Sequence, residues 1–393
     1  MSERPEHPSR PYIRQLLRMR NGYPLYFPDR PRTLPPALIA RGTSIGDVGL
    51  VQPDGSFHYA FNVFTPQADG AINCFGVPVG FYPLPLRARD IVVYTNKYPK
   101  RSVFKTGAAV NADRSVDADA SGGSTTAAAA AAAAAFKLGY RVVDPSAESA
   151  LLALPDGAMS EDYSRLGAIH AYAEQNGLAW YEFVRGPLGL AAPNGALHVV
   201  TGCDKSAAWG IATIAENSAS KGSTLGFTAQ SAASAAAGAG CACSWATTDG
   251  SIPTRTSPNP EPGVEQPRNQ CIFIRGSQIL LRSSVFRRGQ FVTLECMTDN
   301  PYIDSLLRQN KKSFPGRETG GKSWWRRLFG CSQPAGTSHR EGAEPADDFV
   351  DKVELDPLTG PYHAPDTIDK YLLEKNPQAQ VAISHERTST VST

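Results

Sequence analysis

The sequence predicts an α+β protein: mainly antiparallel β-hairpins with one inserted helix, followed by a disordered linker and a short C-terminal helix. Three observations carry that prediction. Short alternating apolar stretches flank tight-turn dipeptides, one window keeps helical spacing, and the composition changes abruptly after Met297. Gly (35) and Pro (31) make up about a sixth of the 393 residues, which disfavours a helical bundle.

The elements follow in order. Residues 1–11 are polar and read as a disordered N-terminus, and 12–300 as a β-rich globular domain. Val48–Val51 faces Phe57, Tyr59, Phe61 and Val63 across Pro53-Asp54-Gly55, a hairpin signal because glycine tolerates the positive φ of such turns. Ile272–Arg275 and Gln278–Leu281 flank Gly276-Ser277, which predicts a second hairpin with a type II′ turn. Strands are also expected at Ile91–Tyr94, Leu138–Val143, Leu197–Thr201 and Gln290–Glu295. The helix is predicted from Ser160, as cap, to the Asn176-Gly177 stop, with Tyr163, Leu166, His170 and Ala173 on one face. Two alanine-rich stretches, Ala127–Ala135 and Ser231–Ala242, precede the similar alternating segments Phe136–Leu138 and Cys241–Trp245. Residues 249–269 hold five prolines and read as a long exposed loop.

Beyond Met297, residues 301–340 carry eight Lys/Arg against two acids, and 341–356 carry seven acids against Lys352. Opposed charge blocks among Gly, Ser and Pro predict a disordered basic-then-acidic linker at 301–360. A helical docking tail is expected over 361–386, with Ile368, Tyr371 and Leu372 as its apolar stripe, and disorder over 387–393.

Composition bounds the function without naming one. Lys+Arg 39 against Asp+Glu 37 leaves a formal charge of +2, so no chain-wide field marks a nucleic-acid binder. Met1–Arg20 mixes Glu3 and Glu6 with arginines and lacks the apolar core of a secretory signal. No run approaches the roughly 18 apolar residues of a membrane helix. Seven cysteines, an odd number spread through a large chain, read as free thiols in a reducing cytoplasm.

Several segments resemble a large family of proteins from mushroom-forming (basidiomycete) fungi for which no activity is established. They are Asn21–Leu25, Gly46–Gly49 leading to Pro53-Asp54-Gly55, and above all Val200-Thr201-Gly202-Cys203-Asp204-Lys205-Ser206-Ala207-Ala208-Trp209-Gly210-Ile211-Ala212. Asn269–Gly276 and the tail from Tyr362–Asp366 through Val381–His385 complete the likeness, which spans most of the chain outside 301–360. It implies an intracellular fungal protein built as one domain plus a short helical tail. The departure is at the end: the family tail continues with acids and a Trp, whereas here Glu386 is followed by Arg387-Thr388-Ser389.

Candidate chemistry is sparse. Gly202–Ser206 faintly echoes a phosphate-binding loop, but Asp204 stands where glycine is needed beside Lys205. Cys203 is a candidate nucleophile, with Lys205 to lower its pKa and His198 as base; on a continuous strand His198 and Cys203 point to opposite faces, and Gly202 would have to break the strand. A packed cysteine is the competing reading, and Trp209 reads as a core anchor. Cys241 and Cys243 share a face but lack a second Cys/His pair, so no metal and no cofactor is expected. His170 reads as a satisfied core histidine, and His58 faces solvent or a polar layer. The most concentrated signal is Lys322-Ser323-Trp324-Trp325-Arg326-Arg327-Leu328-Phe329, with Lys311 and Lys312 upstream and Cys331 as an acyl acceptor. Tryptophans beside arginines suit an anionic membrane surface or a protein partner. The expected function is a non-enzymatic interaction module. A membrane-inserting pore former using the alanine-rich stretches, and a thiol enzyme centred on Cys203, are the alternatives.

Overall fold

The computed structural model describes residues 6–113, 136–231, 241–259, 266–281, 373–376, 379, 381–385 and 388–392. In chain order these begin with α1 (Ser9–Leu17), β1 (Tyr23–Pro24), α2 (Pro36–Arg41), β2 (Asp47–Val51) and β3 (Phe57–Asn62). A 3₁₀ turn (Ala88–Asp90) leads to β4 (Ile91–Tyr98), β5 (Ser102–Gly107) and β6 (Val110–Asp113). Next come β7 (Phe136–Val142), β8 (Ser149–Leu154), β9 (Ala158–Tyr163) and α3 (Leu166–Arg185). The remaining strands are β10 (Leu197–Ser206), β11 (Gly210–Ile214), β12 (Thr224–Ser231), β13 (Cys241–Thr247), β14 (Thr254–Thr256) and β15 (Gln270–Leu281). Last come β16 (Val381–His385) and β17 (Thr388–Ser392). The α+β class with antiparallel sheets is therefore as the sequence predicts.

Two long strands, β10 and β15, organise a nine-stranded sheet. They pair antiparallel from Leu197↔Ile279 to Ser206↔Gln270. The other edge of β10 is divided: Leu197–Val199 pair with β2, and Gly202–Lys205 pair with β9, which in turn pairs with β4. The β2–β3 hairpin turns at Gly55, whose φ of +82° is the left-handed value a side chain disfavours. The second predicted hairpin does not form. Gly276-Ser277 lies inside β15, a single 12-residue strand, with Gly276 opposite Val200 of β10. A Cβ on Gly276 would stand 2.6 Å from the Val199 carbonyl oxygen, so this glycine serves close strand approach rather than a turn.

The predicted helix is displaced. Ser160, Glu161 and Asp162 belong to β9, facing Asp204, Cys203 and Gly202 on one side and β4 on the other. The helix starts after them and runs past Asn176-Gly177 to Arg185. Gly177 does not stop it, because it faces the sheet: a Cβ there would come 3.2 Å from Ile279 Cγ2. Beneath α3, Trp180 and Tyr181 pack with Phe61, Val199 and Ile279 in one buried cluster, and the Tyr181 hydroxyl donates to the Ile279 carbonyl at 2.7 Å.

Two four-stranded sheets complete the body, one ordered β14-β11-β8-β5 and the other β13-β12-β7-β6. They pack face to face through Tyr140, Val142, Leu225, Leu151 and Ile214. Phe227 lies over Gly210, where a Cβ would collide with its ring. Residues 254–256, within the stretch expected to be an exposed loop, instead pair with β11. The second core joins α1 to the sheets through Tyr12, Leu16, Trp209 and Phe273.

Both chain ends differ from expectation. Ser9 and Pro11, within the stretch expected to be disordered, are buried in α1. A helical turn remains at 373–375, but the tail then docks as strand: β16 pairs with β15 from Leu281↔Val381 to Ser277↔His385, and β17 pairs with β16. β17 falls where disorder was expected, because an open strand edge is available to it. Leu373 and Ala379 are buried against Leu280 and Ala382. The expected strand at Gln290–Glu295, the run Ala127–Ala135, and Ile368, Tyr371 and Leu372 lie outside the described residues.

Candidate functional site

The segment the sequence singles out, Gly202–Ser206, is the second half of β10, flanked by β9 and β15. Alternation sends its side chains to two sides, and each side meets a charged partner set. Gly202 aligns between Asp162 of β9 and Arg275 of β15. Arg275 reaches across this glycine, its Nε 2.6 Å from Asp162 Oδ1. A Cβ on Gly202 would sit 2.7 Å from that Nε and closer still to the carboxylate. Glycine leaves the gap through which the ion pair passes.

The same guanidinium binds Asp204 Oδ1 at 2.8 Å, Ser160 Oγ at 2.9 Å and the Asn21 carbonyl at 3.2 Å. Asp204 is fully buried and also accepts from Lys97 Nζ at 3.0 Å and the Tyr98 hydroxyl at 3.0 Å. Burial alone would lower the Arg275 pKa, but Asp204 and Asp162 raise it above its ordinary value. Burial, with Asp204 beside the hydroxyl, pushes Tyr98 up as well.

On the other side stand Cys203, Lys205 and Glu161. Lys205 Nζ donates to Ser44 Oγ at 2.9 Å, Glu161 Oε2 at 3.2 Å and the Arg41 carbonyl at 3.3 Å. Burial pulls the Lys205 pKa down, yet the facing Cys203 and Glu161 outweigh it and hold the ammonium charged. The Cys203 thiol is fully buried and donates to Glu161 Oε2 at 3.5 Å. A hydrogen bond with Cys271, then burial, push its pKa well above the ordinary thiol value. The neighbouring Asp47, also fully buried, is held by Arg30, by Arg41 at 2.5 Å and by Asn62 Nδ2 at 2.8 Å.

These facts bear on three alternatives that the sequence left open. Gly202–Ser206 is extended strand, so its N–H groups cannot wrap a phosphate. Gly202 does not break β10; the strand carries a bulge between Val200 and Gly202 and continues. His198 sits on the half of β10 beside β2, its Nδ1 2.9 Å from the Ala196 carbonyl, while Cys203 is held by Glu161 and Lys205 raises no thiolate there. Arg275, Asp162, Ser160, Lys97 and Tyr98 complete the cluster, and no local motif announces them. Their signal is a charged residue within an otherwise apolar strand, Asp204 and Lys205 in β10 and Arg275 in β15, since such residues are rarely buried without partners.

Elsewhere, Cys241 and Cys243 are buried on one face of β13, where Cys241 Sγ donates to Asp156 Oδ1 at 3.4 Å and burial pushes Cys243 up to about 12. No cluster of three or more His, Cys, Asp or Glu suited to a metal occurs among the described residues. His170 is buried, with Nε2 2.9 Å from Ser277 Oγ. Lys311, Lys312, Lys322, Trp324, Trp325, Arg326, Arg327, Phe329 and Cys331 lie outside the described residues. No protein-family model matches the chain, and no curated protein matches it. Among the described residues, no helix is long and apolar enough to cross a membrane.

Burial pushes the His198 imidazole down to about 4, whereas in the unfolded chain it titrates near 6.5. Above pH 6.5 both states are neutral and the group is silent. Between about pH 6.5 and 4 the unfolded chain takes up a proton the folded chain refuses, and stability falls by roughly 1–3 kcal/mol. The difference in urea midpoint between pH 7.5 and 4.5 should therefore shrink in His198→Gln. An identical difference in both proteins would remove this assignment.

Proposed function

We propose that the chain is a non-enzymatic interaction module of the fungal cytoplasm that makes peripheral contact with anionic membranes through its basic-aromatic stretch. One observation carries this reading: Leu281, at the end of β15, pairs with Val381, at the start of β16. The strands that flank the stretch bearing Lys322, Trp324, Trp325, Arg326, Arg327 and Phe329 in sequence, β15 before it and β16 after it, are thus neighbours in one sheet. Tryptophan rings rest at headgroup depth, and each basic residue near an anionic surface adds about 1 kcal/mol. Cys331 alongside suits a reversible acyl chain. The inward, fully partnered cluster around Asp204 accords with a structural role for the one segment that invited a catalytic reading. In co-sedimentation with phosphatidylserine-containing vesicles, the Trp324→Ala/Trp325→Ala variant should bind at least about tenfold more weakly than wild type. Equal binding would overturn the assignment of that stretch.

A second reading, insertion of the alanine-rich stretches into a bilayer, has a specific observation in its favour. Residues 114–135 join β6 to β7, and 232–240 join β12 to β13. The pairings Ala229↔Phe136, Ser231↔Cys241 and Asp113↔Gly139 bring all four strand ends to the same end of one sheet. The strands alternate, Phe227 and Ala229 inward against Gln230 outward, and Cys241 and Cys243 inward against Ala242 and Ser244 outward. The same vesicles loaded with dye separate the readings: release is required of insertion and absent from peripheral contact.

A further inference from the structure

We infer that residues 75–105 form a second membrane-docking surface, on the folded body itself, that takes an anionic lipid bilayer. The inference rests on the peripheral-membrane reading above and adds to it a contact independent of the tryptophan stretch.

Seven of the eight large exposed apolar side chains among the described residues fall between 75 and 94, which is a concentration rather than a scatter. Val79 is 95% exposed and Tyr82 79%, in a loop stiffened by Pro78, Pro83 and Pro85. A Cβ on Gly80 would meet nothing within 4 Å, so this tip projects from the body. Strand β4 follows, and Val92 and Tyr94, which share one of its faces, are both exposed, as is Val93 on the other.

Charge identifies the occupant. Arg87, Arg89, Lys100, Arg101 and Lys105 are exposed along the same stretch. Its one acid, Asp90, is buried, with Arg165 at 3.7 Å. Lys97 is engaged by Asp204 and is not counted. Projecting aliphatic and tyrosine side chains among unneutralised basic ones match a surface that is apolar below and anionic above. A projecting tip favours a deformable bilayer over a protein partner, which would need a complementary pocket.

The test uses the full chain and vesicles of phosphatidylcholine with and without phosphatidylserine. Val79→Ser/Tyr82→Ser removes the apolar tip; the loop's bond to α3 is retained, since Tyr172 donates to the Tyr82 carbonyl and not to its ring. Arg89→Glu/Lys100→Glu reverses two exposed charges. Each variant should lose at least about tenfold in affinity for the anionic vesicles, with wild-type thermal unfolding. If wild type binds and both variants bind equally well, this surface is refuted and the tryptophan stretch stands alone. If wild type ignores anionic vesicles, the peripheral reading and this surface both fall. Charge-dependent capture of polyuridylate or polyglutamate with unchanged vesicle binding would reassign the surface and overturn the proposal.

Discussion

Replacing Arg275 with methionine is expected to destabilise the fold by about 3–5 kcal/mol, read as a fall in the urea midpoint at pH 7. The guanidinium neutralises Asp204, which is fully buried, and Asp162 on the far side of Gly202. Without it Asp204 retains, among the described residues, Lys97 and Tyr98, and a carboxylate that loses its main partner in a dry interior is what makes such truncations severe. Arg275→Lys should fall between, because one ammonium cannot span two carboxylates and the Ser160 hydroxyl as a planar fork does. Gly202→Ala supplies the internal control. In the wild-type background its methyl collides with the ion pair; in Arg275→Met part of that obstacle is gone, so the two changes should be less than additive. A loss below about 1 kcal/mol for Arg275→Met, or strict additivity with Gly202→Ala, would show that the ion pair does not brace β9, β10 and β15.

That cluster also marks the limit of what the chain discloses locally. The Asp54-Gly55 turn is legible because everything that decides it lies within a few residues: Ser56 N–H donates to Asp54 Oδ1 at 2.9 Å, and Gly55 takes the positive φ. Gly276-Ser277 carries the same local signature with the opposite outcome. What decides it is the Val199 carbonyl, more than seventy positions away, pressed against the glycine. Ser160-Glu161-Asp162 likewise has the composition of a helix start, yet Arg275 and Lys205 draw these residues into a strand. Gly177 reads as a stop, and the structure uses it as the place where a helix lies close on Ile279. The antiparallel class was legible from alternation, while strand order and charge pairing were not, because both are set by partners far off in sequence. The thiol is a parallel case: Lys205 near Cys203 suggests an activated sulfur, but the fold buries Cys203 against Cys271, and that hydrogen bond and the burial raise its pKa.

Trp209→Ala is expected to cost about 3–5 kcal/mol, comparable to the loss of Arg275. Trp209 is fully buried and joins Tyr12, Leu16, Phe104 and Phe273 where α1 meets the sheets, so truncation opens a cavity shared by several elements. Neighbouring backbone cannot readily collapse into it, because Ser257 N–H donates to the Trp209 carbonyl at 2.9 Å and Trp209 N–H donates to Ser257 Oγ at 3.2 Å. The Arg255 guanidinium lies 3.9 Å from the Phe27 ring centroid, 5.3 Å from that of Tyr26 and 6.0 Å from the indole, and loses part of its aromatic surround. Trp209→Phe should cost less than half as much as the alanine change. The indole Nε1 is buried with no hydrogen-bond partner among the described residues, so phenylalanine removes an unsatisfied donor while keeping most of the apolar volume. Urea unfolding of the two variants decides this. Equal losses would mean that the indole nitrogen has a partner in solution, and a loss under about 1 kcal/mol for alanine would mean that Trp209 does not hold the two sheets and α1 together.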